Sequence, residues 1–192
     1  MKRTNFYVLL LALALFFTHH TASAVVIDIT PVEQTVTLGD SVSVDIFISG
    51  LTDSNALGDF DFDLFFDSSI LGLTSVSFGN QLGDSLQDSS SGSGWANLNE
   101  LSWESALDLV ANQANSFSLA TLTFNTLSIG TSEFFFDTIW ALGDQNGDWL
   151  GGDFNKGLVN VIDSTTPIPE PSSLLLLALG LLGVSLQRRA RR

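Results

Sequence analysis

The chain has 192 residues, no cysteine and a formal net charge of −14. Six of its seven basic residues lie at the two extremes, so the span 25–168 sets twenty carboxylates against Lys156 alone, a balance near −19. Such a surface repels nucleic acid and anionic membranes, and the lack of Cys removes disulfide staples and thiol chemistry.

Residues 1–24 read as a secretory signal peptide. Lys2 and Arg3 form the charged start, residues 7–17 an apolar stretch, and Ala22-Ser23-Ala24 a small-residue cleavage pattern. Cleavage after Ala24 leaves Val25 as the new N-terminus. An uncleaved anchor is the alternative, but the apolar stretch is short for a membrane span. Both histidines, His19 and His20, leave with the peptide. What remains lacks the usual zinc ligand and the usual general base. No phosphate-cradling, dinucleotide-binding, zinc-protease or serine-hydrolase motif occurs. An enzyme would depend on carboxylate pairs alone, as glycosidases do, and nothing in the sequence places such a pair at a cleft. No catalytic residues are expected. Cations, neutral glycans and basic proteins suit the charge; the acidity also serves solubility.

The middle of the chain predicts strands joined by Gly, Ser, Asn and Asp turns. Residues 25–30 form a β-branched run stopped by Pro31, and 35–38 a second, ended by Gly39-Asp40. Residues 41–49 alternate, with Val42, Val44, Ile46 and Ile48 on one face, as a half-buried strand requires. Residues 50–57 read as a loop. In 59–67 (DFDFDLFFD), Phe60, Phe62, Leu64 and Phe66 face in, while Asp59, Asp61, Asp63 and Asp67 face out. Carboxylates two residues apart, about 6.8 Å along a strand, repel one another. They either gather a cation or guard an edge strand against pairing; the edge reading is preferred. Residues 71–78 follow, with a phase shift between Leu73 and Val76 that predicts a bulge.

Residues 81–94 (QLGDSLQDSSSGSG) read as a long mobile loop. Residues 101–109 alternate like a strand, although Trp103, Leu107 and Val110 also fit a helix face. Residues 117–127, 131–142 and 158–162 complete nine expected strands, which argue a β-sandwich. Trp103 and Trp140 are expected in the core. Trp95 and Trp149 are expected in loops, where an indole can stack on sugar rings. The loop 141–156 (ALGDQNGDWLGGDFNK) carries Asp144, Asn146, Asp148 and Asp153. Alternate Asp and Asn oxygens suit calcium, the one cofactor that this sequence suggests. The spacing departs from an EF-hand: Trp149 holds the usual Gly position and Asn155 that of the bidentate Glu. The other reading is a hairpin whose Asp and Asn side chains cap their own backbone.

The strand pattern of residues 57–79 (LGDFDFDLFFDSSILGLTSVSFG) and 119–136 (LATLTFNTLSIGTSEFFF) resembles a cohesin. Phe66-Asp67 stands where cohesins have an aromatic-Asp turn, and Gly130 where a strand enters a Gly turn. The resemblance implies a nine-stranded jelly-roll sandwich over residues 25–163. Cohesins of cellulosomes bind dockerins, but the residues that make that contact are not placed by any motif here.

The last stretch, TPIPEPSSLLLLALGLLGVSLQRRARR, has three parts in order: Pro169-Glu170-Pro171, an apolar run from Leu174 to Leu186, and Arg188, Arg189, Arg191 and Arg192. Proline keeps Ile168 and Glu170 extended. From Pro171 to Leu186 a helix would rise ~24 Å. A hydrocarbon core of roughly 30 Å then requires thinning or snorkelling arginines. The Arg cluster stays cytoplasmic. This order resembles a PEP-CTERM sorting signal. The resemblance implies recognition by an exosortase, in bacteria that export extracellular polysaccharide, and a place at the cell surface or outside the cell. A plain tail anchor is the alternative; it has no need of Pro-Glu-Pro. The division is thus signal peptide 1–24, sandwich 25–163 and sorting segment 164–192. The expected role is structural or adhesive, in the envelope or polysaccharide matrix. The other role is a calcium-dependent module for a glycan or protein. Expected partners are the exosortase, the cytoplasmic membrane, and polysaccharide or a protein; nucleic acid is not among them.

Overall fold

The computed structural model describes residues 25–164. In chain order the strands are β1 (Val25–Thr30), β2 (Glu33–Thr37), β3 (Ser41–Ser49), β4 (Leu57–Phe65), β5 (Leu71–Phe78), β6 (Ser85–Gly92) and β7 (Trp95–Ser102). A short helix, α1 (Ala106–Asn112), precedes β8 (Phe117–Thr126), β9 (Gly130–Asp144), β10 (Gly152–Phe154) and β11 (Gly157–Ile162). They form a five-stranded sheet, β10-β1-β3-β8-β5, and a six-stranded sheet, β2-β11-β9-β4-β7-β6.

Period-two alternation builds the core. In β3, Val42, Val44, Ile46 and Ile48 are buried while Ser41 and Ser43 are exposed. In β4, Phe60, Phe62 and Leu64 are buried, with Phe66 just beyond its end. Phe124 of the five-stranded sheet meets Phe134 of the six-stranded sheet edge-on at 5.3 Å, and Phe66 at 5.0 Å. These rings join the two sheets. The predicted bulge appears as a register shift between Leu73 and Ser75.

Several expectations need correction. Residues 81–94 are not one long loop. β6 pairs with β7 from Ser85↔Ser102 to Gly92↔Trp95. It buries neither face, so no hydrophobic period marks it; Leu86 is half exposed. Its anchor is polar instead. The Ser85 hydroxyl and the Gln87 amide donate to Oε1 of the buried Glu100, at 2.7 and 2.9 Å.

Residues 101–109 are not one strand. β7 ends at Ser102, and Ser105 caps α1 by accepting the Asp108 amide while its hydroxyl donates to Asp108 Oδ2. That reciprocal Ser-x-x-Asp arrangement starts a helix and overrides the alternation. Leu109 is buried, but Leu107 is 82% exposed. Trp95 belongs to β7, not to a loop. Trp103 and Trp140 are exposed, not core. Trp103 lies in the connector to α1. Trp140 lies where β9 shifts register against β4, between Ile139↔Phe62 and Ala141↔Asp61, and the extra residue is turned outward. With β6, β10 and the earlier start of β7, the described residues hold eleven strands, not nine.

Candidate functional site

β4 lies between β9 and β7, inside the six-stranded sheet, so its aspartates guard no edge. Asp59, Asp61 and Asp63 share the outer face and are half-buried. The register sets Asp61 opposite Asn99 and Asp63 opposite Asn97. The Asn97 amide donates to Asp61 Oδ1 at 2.8 Å and to Asp63 Oδ1 at 2.9 Å. The Asn99 amide donates to Asp61 Oδ2 at 2.9 Å. Two neutral amides thus hold two like charges side by side and leave the net negative charge in place.

Asp59 has a different neighbourhood. It packs over Gly143, where a Cβ would come within 2.0 Å of Asp59 Oδ1. Gly58 is constrained in the same way, since its Cβ would stand 2.3 Å from the Asp144 carbonyl. Desolvation, then the Asp144 carboxylate, then Asp61 push the Asp59 carboxyl above its ordinary value of 3.8. The fold therefore binds this proton more tightly than the unfolded chain does. This group's contribution is most favourable below the unfolded value and is lost as pH rises through the raised folded value. Asp59→Asn should accordingly raise the melting temperature at pH 7, and the gain should vanish as pH falls below 3.8. Thermal scans of both proteins between pH 3 and 7 check this; a pH-independent difference would refute it.

The loop 144–151 follows directly. Asp144 Oδ1 accepts the backbone N–H of Asn146 at 2.7 Å and of Asp148 at 3.0 Å. The Asp144 N–H donates to the Asp148 carbonyl at 2.8 Å. Asp144 thus caps its own turn, the second of the two readings of this segment. Asp153 is separate: it lies on β10, which pairs with β1 in the other sheet. Among the described residues no group of three or more His, Cys, Asp or Glu side chains is placed to hold a metal ion. Asp144 Oδ2 accepts the Asn146 side-chain amide at 3.5 Å, and the Asp144 carboxylate lies close enough to Asp59 to raise its pKa.

Aromatic groups lie further along the same face. Phe65 and Phe135 stack at 5.6 Å with an 18° tilt, and Lys156 sits 5.7 Å over Phe135 while bonding Glu133 at 3.0 Å. Trp95 is the register partner of Phe65 on the other side. Trp140 and Trp149 are 67% and 60% exposed. The sequence hid Trp140, because its outward turn depends on a bulge that the local pattern does not encode.

A half-open cleft of about 240 Å³ lies between α1 and the β5–β6 connection, lined by Asn80, Gln81, Glu104, Asp108 and Asn112 among others. Most of its polar groups are already engaged: Glu104 accepts the Asp84 amide and Gln81 the Ala114 amide. The signal-cleavage residues Ala22 and Ala24, the triplet Pro169, Glu170 and Pro171, and the arginines 188, 189, 191 and 192 lie outside the described residues. Among the described residues no helix is long and apolar enough to cross a membrane.

Comparison with known proteins finds a match for the C-terminal segment and similar folds for the sandwich. Residues 167–192 match the PEP-CTERM protein-sorting motif, which implies export and exosortase processing. No curated protein sequence matches the chain. The fold is similar to the seventh ScaB type I cohesin from Pseudobacteroides cellulosolvens, with a TM-score of 0.60 and 17% identity over 76% of this chain and 96% of that one. It is also similar to a Clostridium thermocellum cohesin solved in a type I cohesin–dockerin complex, with a TM-score of 0.60 and 17% identity over 72% and 99%. A non-cellulosomal cohesin from Archaeoglobus fulgidus has a TM-score of 0.58 and 15% identity over 74% and 94%.

Proposed function

We propose that this is an exported surface protein, released from a membrane-held precursor by an exosortase, whose cohesin-like sandwich is an adhesive module. The signal peptide ending at Ala24 starts export, the apolar run from Leu174 to Leu186 halts it, and the terminal arginines keep the end inside. The match of residues 167–192 to the sorting motif carries this reading. The test is the intact mass of the mature protein from a host that has an exosortase. A mass without Leu174 through Arg192 supports processing; a mass that retains them makes the tail a permanent anchor.

The adhesive part rests on the outer face of the six-stranded sheet. Its half-buried Asp–Asn ladder is held rigid by hydrogen bonds, and exposed Trp140 lies on the neighbouring strand. Rigid polar groups beside an exposed aromatic ring are what a protein interface uses. The charge favours a basic partner. A cohesin of the same fold was solved with a dockerin; for this chain we infer a protein partner of that general kind, or a matrix component.

Calcium remains a second reading, favoured by the crowding of Asp59 and Asp144. If Asp144, Asn146 and Asp148 bind it, calcium should raise the melting temperature, and Asp148→Ala should remove that rise. A hundredfold excess over Kd corresponds to about 2.7 kcal/mol. No shift at millimolar calcium would leave the loop as a self-capped hairpin.

A further inference from the structure

The two ends of the sandwich differ. Val25 enters beside Gly152, at the end that carries the loop 144–151. Ile162 leaves at the opposite end, among the turns that follow β2, β4 and β8. That exit end presents four aliphatic side chains to solvent: Leu38 at 39%, Leu127 at 56%, Ile129 at 56% and Ile162 at 40% exposure. They are neighbours. The Leu38 amide donates to the Ile162 carbonyl at 2.9 Å. The Gly39 amide donates to the Thr126 hydroxyl at 2.8 Å, which seats Leu127 beside the β2–β3 turn. Val161 pairs with Gly130, which follows Ile129.

In a chain with twenty carboxylates for one lysine in this region, a polar tip would be the ordinary outcome. Four aliphatic groups at one end call for an apolar occupant. The chain itself indicates which. Residues 163–173 separate this tip from the apolar run that starts at Leu174, and eleven residues reach at most about 40 Å. The tip therefore lies within tether length of any bilayer that holds the run. The opposite end lies a whole domain further away.

We propose that, before processing, this end of the sandwich rests on the outer surface of the membrane that holds its own tail. Leu38, Leu127, Ile129 and Ile162 enter the interfacial region. The contact suits zwitterionic lipid, because Asp40, Asp67 and Asp163 stand in the same turns and no lysine or arginine does. Seating the tip holds Pro169-Glu170-Pro171 close to the membrane surface, within reach of a membrane-embedded enzyme. The inference rests on the tethered precursor proposed above.

The chain has no cysteine, so one introduced thiol can be labelled alone. Full-length Leu127→Cys and Ile129→Cys would carry an environment-sensitive fluorophore in phosphatidylcholine vesicles containing lipid-borne quenchers. Ser116→Cys, at the opposite end, serves as control. Labels at 127 and 129 should be quenched several-fold more than the label at 116. Equal quenching in a chain that resists alkaline extraction would overturn the contact and leave the tethered reading intact. Extraction of the chain would overturn both. Equal shielding of the tip labels in detergent, without lipid, would overturn it in favour of the chain's own tail. Shielding that grows with protein density would overturn it in favour of a second copy.

Discussion

Glu170→Ala should abolish processing: the full-length protein should accumulate in the membrane fraction with its four terminal arginines still attached. Glu170 is one charge between two prolines. Proline fixes its own φ and restricts the residue before it, so Glu170 is presented with little conformational freedom left to lose on recognition. A receptor that reads the carboxylate loses its charge partner in the alanine variant, and the surrounding chemistry stays the same. Glu170→Asp tests the position of that carboxylate, and partial processing of it would show that reach matters as well as charge. Removal of Arg188, Arg189, Arg191 and Arg192 should act differently. It weakens the retention of the span and scrambles its orientation, because positive charge on the cytoplasmic side sets both. Fractionation with intact-mass measurement separates the outcomes. Wild-type processing of Glu170→Ala would mean that the triplet is a spacer.

Phe124→Ala should lower the stability of the sandwich by about 3–5 kcal/mol, the usual loss when a buried phenylalanine is cut to alanine. Phe124 is fully buried and is the ring through which the five-stranded sheet touches both Phe66 and Phe134. Deleting it leaves a cavity between two layers, neither of which can close without moving a paired strand. Against a typical domain stability of about 5–15 kcal/mol, that loss brings the fold near its threshold. Phe65→Ala is the comparison. Phe65 is half-buried on the outer face and stacks on Phe135, so its loss should be clearly smaller. Urea unfolding midpoints measure both; equal losses would mean that the inter-sheet rings do not hold the layers together.

The strands that could be read from sequence were those that bury one face. The Val-Ile alternation of β3 and the Asp-Phe alternation of β4 state their own faces because the side-chain period of a strand is two. β6 could not be read that way, since it contributes backbone pairing and two side-chain bonds to Glu100, and no apolar face. The outward turn of Trp140 was hidden for another reason: it depends on how β9 slips against β4, a property of two strands. The acidic ladder was legible as a row of aspartates but not as a ladder. Asn97 and Asn99, which hold Asp61 and Asp63, come from a strand 36 residues along the chain. The misplaced edge followed from the same gap, because strand order is a long-range fact. The tail was the opposite case. Its three parts are consecutive, so their order alone carried the signal that residues 167–192 match.

The C-terminal strand β11 runs between β2 and β9, with five residue pairs on each side, parallel to one and antiparallel to the other. In the tethered precursor proposed above, any drag on the sandwich would be transmitted to the tail through this strand. The pull is directed along the strand axis, whereas the pairing bonds run across it. Both ladders are therefore loaded together in shear, and none can open one bond at a time as in a peeled hairpin. A hold of this kind resists through its unfolding rate under force, which is not set by equilibrium stability alone. The tail thus follows a strand on which a steady pull loads two ladders at once.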